Sequence, residues 1–321
     1  MKKKKITLKG IWKVLKNCFK GFSEDKITKS SASLAYYTVF SMGPLLIVIV
    51  FLASIFFGRE AVEGSIYGQI QSFVGKDTAI QLQEIIKNAA ISGEGNIAAI
   101  IGVITLLIGA TSIFADMQDS INSIWGLKAN PKEGWLKLVK NRLLSFGVIA
   151  SLGFLLLVSL GISTLMESFN NSLQARFPGV AVTVLYIVNL LITFGVITAL
   201  FSIIFKVLPD AKIRLKDVLP GAITTAVLFM IGKIAISFYI SKSNVGSAYG
   251  AAGFLVVLLV WIYYSSIILY FGAEFTKAFA MEYGNAIHPD SYAVVSKKVE
   301  VDGGKTSIQN AEEQIDKKQK L

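Results

Sequence analysis

The chain has 321 residues, 53% of them hydrophobic and 17% charged, with a mean hydropathy of +0.59. Ordinary soluble domains carry charge on about a quarter of their residues, so this composition excludes one. A single Cys and a single His leave too little raw material for zinc clusters, disulfide frameworks or most Ser/His/Asp and Cys/His catalytic groupings.

Residues 1–33 read as a basic cytoplasmic arm. Leu8, Ile11, Trp12, Leu15, Phe19 and Phe22 recur at spacings of three and four, while Lys9, Lys13, Lys16 and Lys20 fall elsewhere on the wheel. This is the pattern of a basic amphipathic helix, lying in the membrane interface among anionic headgroups or packed under a helical bundle. A first span covers about 34–57, too long and too far from the N-terminus for a cleaved signal peptide, with Pro44 inside it. Tyr36, Tyr37, Thr38 and Ser41 stand at its entrance and should look inward, because buried hydroxyls need partners.

Between spans one and two, residues 58–96 form the largest external segment. Ile66, Ile70, Phe73 and Val74 make one apolar stripe, Leu82, Ile85, Ile86 and Ala89 another, and Asp77 is placed to cap the second; two short external amphipathic helices are expected. Further uncharged runs at about 97–115, 143–165, 182–205, 219–239 and 253–275 each suffice for about 30 Å of hydrocarbon. Lys233 interrupts the fifth span and Glu274 closes the sixth. The tail, 282–321, is of mixed charge and reads as disordered cytoplasmic chain.

Of the 32 Lys and Arg residues, 26 fall in the arm, the second and fourth connections and the tail, against five in the other three connections. The positive-inside bias then places both termini in the cytoplasm, with an even number of spans. The expected fold is therefore an all-α integral membrane protein: a domain of six transmembrane helices over 34–281, a basic amphipathic N-terminal helix and the short external helices. Topology also accounts for the net charge of +11, so no nucleic-acid partner is implied.

Ionisable groups inside a membrane are costly and mark functional suspects. Lys233, Asn189 and Trp261 each fall about 10–12 Å below the outer end of their spans at 1.5 Å per residue. Facing one another, they would form a cationic pocket for an anionic headgroup or carboxylate; otherwise the Lys233 stem snorkels to the outer interface. Glu274 lies at the opposite face and is expected to pair with a basic residue such as Arg142 or Lys277. Tyr36, Tyr37, Ser41, Tyr263 and Tyr264 could line a polar path or act as interhelix glue. Pro44 and Pro220 with Gly221 could loosen their spans, while Gly250 and Gly253 permit close helix contact. Asp116 and Asp119, three apart where span two leaves the membrane, are the nearest approach to a carboxylate pair, explained by salt contacts to Lys140 or Arg142. No metal, cofactor or catalytic residue is implied.

Four stretches are familiar: SASLAYYTVFSMGPLL in span one, FADMQDSINSIWG after span two, LPGA at 219–222, and YGAAGFLVVLLVWIYYSSIILYFGAEF at 249–275. Together they resemble the YihY/virulence factor BrkB family of bacterial inner-membrane proteins. The resemblance implies six spans, cytoplasmic termini and a multi-pass protein of the bacterial cytoplasmic membrane. It brings no agreed activity and no catalytic residue, and the "ribonuclease BN" label such proteins have carried fits poorly with the scattered carboxylates here. The leading expectation is transport or translocation of an anionic lipid or solute, with membrane lipids as partners. The alternative is a non-transporting envelope scaffold whose arm and tail recruit partners.

Overall fold

The computed structural model describes residues 6–41, 104, 112–129, 180–242, 253–284, 287–290 and 293–296. The expected spans at 143–165 and most of those at 34–57 and 97–115, the helices within 58–96, Pro44, Lys140, Arg142 and Gly250 lie outside them. The described elements are α1 (Leu8–Glu24), α2 (27–41), α3 (112–124), β1 (Leu127–Ala129), α4 (Val180–Val207), β2 (Ala211–Lys212), α5 (Leu215–Lys242), α6 (Gly253–Tyr283), β3 (His288–Pro289) and β4 (Ala293–Val295).

Helix α1 begins where Thr7, extended at φ −127°, accepts the Gly10 N–H on its hydroxyl at 3.2 Å. It ends at Glu24 with Asp25 as its cap, and the next residue, Lys26, has a left-handed φ of 52°, which costs a non-glycine residue about 1–2 kcal/mol. That residue turns the chain, and α2 starts immediately after it.

Among the described residues, three helices are long and apolar enough to cross a bilayer, over Ile187–Val207, Leu215–Ile236 and Leu255–Tyr283. Two overrun their expected limits at the same end. Helix α5 starts at Leu215, four residues early, and carries Pro220 in its second turn without breaking. Helix α6 has 31 residues and runs eight past 275. Hydropathy stops the span at Glu274, but the backbone does not, because that carboxylate is buried against a lysine one turn on and the helix continues beyond the hydrocarbon edge. At 1.5 Å per residue α6 is about 46 Å long, against a core of about 30 Å.

Helices α5 and α6 pack antiparallel through a reciprocal fit of threonine into glycine. Thr276 seats on Gly221 and Thr225 on Gly272, so that a Cβ added at either glycine would overlap the opposing hydroxyl. Both threonines are fully buried, and each donates to the glycine carbonyl four residues back on its own helix at 2.7 Å. Close helix contact through small residues and locally satisfied hydroxyls is how helices associate without a hydrophobic driving force. Higher up, Gly232 lies under the Tyr264 ring in the same antiparallel register.

The arm, the connections at 112–129 and 208–214, and the chain after α6 all gather at one end of these helices, here the base. Val14, Cys18 and Gly21 of α1 lie against Phe275, Ala278 and Glu274 of α6. Strand β1 pairs antiparallel with β4, and β2 with β3. Ile27, Leu34, Ile121, Trp125, Phe205 and Tyr270 form the core between them, and the Trp125 indole donates to the Ala273 carbonyl at 3.2 Å. Within the tail, the described residues His288–Pro289 and Ala293–Val295 find strand partners at 211–212 and 127–129, which a composition argument cannot foresee.

Candidate functional site

Between α2, α3, α4, α5 and α6, alongside the apolar stretches of α4, α5 and α6, lies an open cavity of about 340 Å³. Its walls are Leu34, Ile113, Met117, Phe201, Ile204, Phe229, Trp261, Ile262 and Leu269, with Thr38, Ser265 and Ser266 as the hydroxyl-bearing members. Phe229 links two walls, its ring meeting Phe201 at 6.0 Å and Trp261 at 5.9 Å between centroids, both edge-on. Each hydroxyl already has a use. Thr38 donates to Leu34, Ser265 to Trp261 and Ser266 to Ile262, all to the carbonyl four residues back at 2.8 Å. A guest would therefore meet a largely apolar surface whose hydroxyl hydrogens are spent, suited to hydrocarbon rather than to a hydrated solute.

The base below the cavity is fixed by buried polar groups. Asp210 follows α4, and its carboxylate accepts from Gln118 and from Asn122 at 2.9 Å each, while its N–H donates to the Asn122 side chain at 2.9 Å. Glu274, 3% exposed, accepts from Lys277 at 3.3 and 3.4 Å, and the same ammonium reaches Asp25 at 3.5 Å. Gly21 makes room for that carboxylate, since a side chain there would overlap it.

Asp116 Oδ1 accepts from the Ser33 hydroxyl at 2.8 Å, while its buried Oδ2 finds no partner among the described residues. Burial raises the Asp116 pKa, and the Ser33 bond opposes this. Burial raises Asp119 as well, with a further push from the Asp116 charge. Cys18, packed under α6, is pushed up to about 12 by burial, with Glu274 adding and Lys277 opposing.

The sequence-predicted residues divide. Lys277 is the Glu274 partner, as expected. Trp261 lines the cavity, but Lys233 and Asn189 are exposed and contribute nothing to it. The three also do not share a depth. Trp261 is level with Phe229, Lys233 lies one turn or about 6 Å further from the base, and Asn189 is twelve residues before Phe201, about 18 Å away.

Tyr36 and Tyr37 are 56% and 39% exposed rather than turned inward. Leu34 and Ala35 take the inward face, and Tyr36 packs on Tyr37 and Phe40. Ser41 donates to the Tyr37 carbonyl at 2.8 Å. Tyr263 and Tyr264 are half-buried, Tyr264 as the cover of Gly232, and Gly253 is buried at the start of α6. The sequence reading missed the pairing of Asn122 with Asp210. It also missed the role of Gly221, which makes a contact rather than loosening α5.

The family model described as "Virulence factor BrkB" matches residues 18–293. The chain belongs to that family. Curated relatives of this BrkB-family chain include a UPF0761 membrane protein of Saccharophagus degradans, 27% identical over 264 residues, which are 82% of this chain and 59% of the relative. One from Pseudoalteromonas atlantica is 28% identical, covering 78% of this chain and 81% of its own. Another, from Haemophilus influenzae, is 26% identical, covering 80% and 91%. The chain thus spans only 59% of the length of the first of these. No solved structure matches it. The protein is a membrane protein of this family.

Proposed function

We propose that this protein handles lipid within the bacterial cytoplasmic membrane, taking an acyl chain into the cavity between its helices as part of translocating or presenting that lipid. The cavity carries the reading: about 340 Å³ alongside the apolar stretches of α4, α5 and α6, walled by Phe201, Phe229, Trp261 and aliphatic side chains, with every hydroxyl in its lining committed to backbone. A hydrated anion would leave its shell for a lining whose hydroxyl hydrogens are all spent and whose one other side-chain donor is the Trp261 indole N–H, which costs several kcal/mol per polar group left unpaired. A lipid tail meets no such cost. The reading takes the base as the cytoplasmic end, supported by the basic segments that converge there, and a six-span topology. Lys233 then snorkels from α5 toward the outer interface rather than lining the site. No catalytic role is assigned.

Reconstitution tests it. Vesicles holding the full chain should move a fluorescent lipid between leaflets faster than protein-free vesicles, and Ser265→Leu, which narrows the cavity at the cost of one hydroxyl bond to a helical carbonyl, should reduce the difference. Equal rates in protein-free and protein-bearing vesicles overturn the reading, and so does a Ser265→Leu variant that inserts normally and keeps full activity.

A second reading, a scaffold that recruits cytoplasmic partners, draws on a cleft of about 450 Å³ in the base. Asp25, Asp119, Asn122, Lys128, Lys277 and Ser296 are among the residues lining it. That reading predicts that deleting residues 1–22 damages function while Ser265→Leu leaves it intact.

A further inference from the structure

Helix α1 has two apolar faces, and α6 covers only one of them. Val14 and Cys18 are essentially inaccessible against α6, whereas Leu8 is 87%, Trp12 71% and Phe19 65% exposed. The exposed three lie roughly 140° round the helix from Val14 at 100° per residue, in a single row along its length. Isolated exposed apolar side chains need no explanation, but a row of large ones on a helix already packed on its other side does.

The lysines beside the row indicate what covers it. Lys13 is held by Glu282, and Lys20 meets Glu24 at 3.4 Å. Lys9 and Lys16, directly beside Trp12 on the wheel, have no carboxylate partner among the described residues. A second copy of the helix docked on this row would bring Lys9 and Lys16 of both copies together, so like-charge repulsion disfavours self-pairing. An anionic lipid surface satisfies both features, since apolar rings enter the headgroup boundary and ammonium groups meet phosphates. Phe19 also touches Phe271 of α6, ring centroids 5.6 Å apart, so the row begins where the long α6 leaves the hydrocarbon.

We infer that the Leu8–Trp12–Phe19 row of α1 seats on the anionic inner leaflet and thereby clamps α1 along the basal end of α6. The clamp holds Gly21 over Glu274 and keeps Asp25 within reach of Lys277. It rests on the base being cytoplasmic, but not on the cavity, so loss of lipid movement in the Ser265→Leu assay leaves it untouched.

The sole cysteine of the chain supplies the probe. Cys18 is fully buried between α1 and α6 with its thiol against the Phe271 carbonyl, so it reacts only when the clamp opens. The full chain is reconstituted in phosphatidylcholine vesicles with and without phosphatidylglycerol, and the rate of maleimide labelling is followed. Anionic lipid should slow labelling about fivefold for each lysine engaged, taking about 1 kcal/mol per Lys at an anionic surface. Lys9→Gln with Lys16→Gln should remove the lipid dependence. Equal rates in the two vesicles, or an unchanged dependence in the double variant, overturn the inference. Should Cys18 fail to react in either vesicle, Trp12→Cys on a Cys18→Ala background decides. Its thiol should be shielded from a charged maleimide only when phosphatidylglycerol is present, and equal accessibility in both vesicles overturns the proposal.

Discussion

Gly221 and Gly272 are positions where one methyl group should matter. A Cβ at 221 would overlap Thr276 Oγ1 and stand 2.9 Å from its Cβ and 3.0 Å from its Cα. The hydroxyl can turn away only by giving up its 2.7 Å bond to Gly272, worth about 0.5–1.5 kcal/mol. A β-branched side chain in a helix has little χ1 freedom, and the Cα cannot retreat unless α6 does. Gly221→Ala should therefore cost about 1–3 kcal/mol, the range for overpacking a close interface. Gly232→Ala is the comparison, because what it meets is the far end of the Tyr264 ring, which can swing aside at lower cost. Reversible unfolding in mixed micelles, followed by circular dichroism, measures both. Thr276→Ala combined with Gly221→Ala should recover part of the loss, giving a coupling energy for the pair. Strict additivity of the two substitutions, or Gly221→Ala costing no more than Gly232→Ala, would refute the antiparallel register and the interlock built on it.

Other consequences follow from the base. Lys277→Met should destabilise by about 3–5 kcal/mol, because it takes the cation away from the buried Glu274 carboxylate, and adding Glu274→Gln should restore part of this in the same unfolding assay. Asn122→Asp sets a second carboxylate against buried Asp210 and should cost a comparable about 3–5 kcal/mol, whereas Asn122 in the native chain serves Asp210 as both donor and acceptor. Asp116 has a raised pKa from burial, so its protonated form is favoured in the folded state, and stability is lost as pH rises through the folded value. Asp116→Asn should consequently stabilise at neutral pH by a margin that closes in acid. A pH-independent margin would show that Asp116 is not the titrating group.

Much of the architecture was legible because the bilayer imposes it. Long apolar runs at 182–205, 219–239 and 253–275, with Lys233 and Glu274 as their only charges, identify α4, α5 and α6, since a backbone in hydrocarbon has few alternatives to a helix. The loop-to-loop lysine bias brought together the same four segments that the base assembles. Their far ends were not legible, because a helix ends where its caps and contacts end rather than where lipid does; α6 passes Glu274 on the strength of one lysine and a glycine on another helix. The candidate site was read less well. Trp261 stands in the lining, but the neighbours that make it a wall, Phe201 and Phe229, carry no signal beyond being apolar. Lys233 drew attention because a charge in a span is conspicuous, and the structure leaves it on the outside. The strands β3 and β4 were illegible for a related reason: two short pairings are fixed by partners far along the chain, not by local propensity.

The most direct test of a lipid chain between these helices is to map where such a chain touches the protein. Membranes bearing a phospholipid with a photoreactive group on its acyl tail are irradiated with the full chain in place, and the adducts are located by peptide mass spectrometry. The account predicts adducts on Phe201, Phe229 and Trp261 in addition to the outward-facing Leu191 and Ile234, with the cavity adducts reduced in Ser265→Leu. Labelling confined to Leu191, Ile234 and the rest of the outer surface would contradict it.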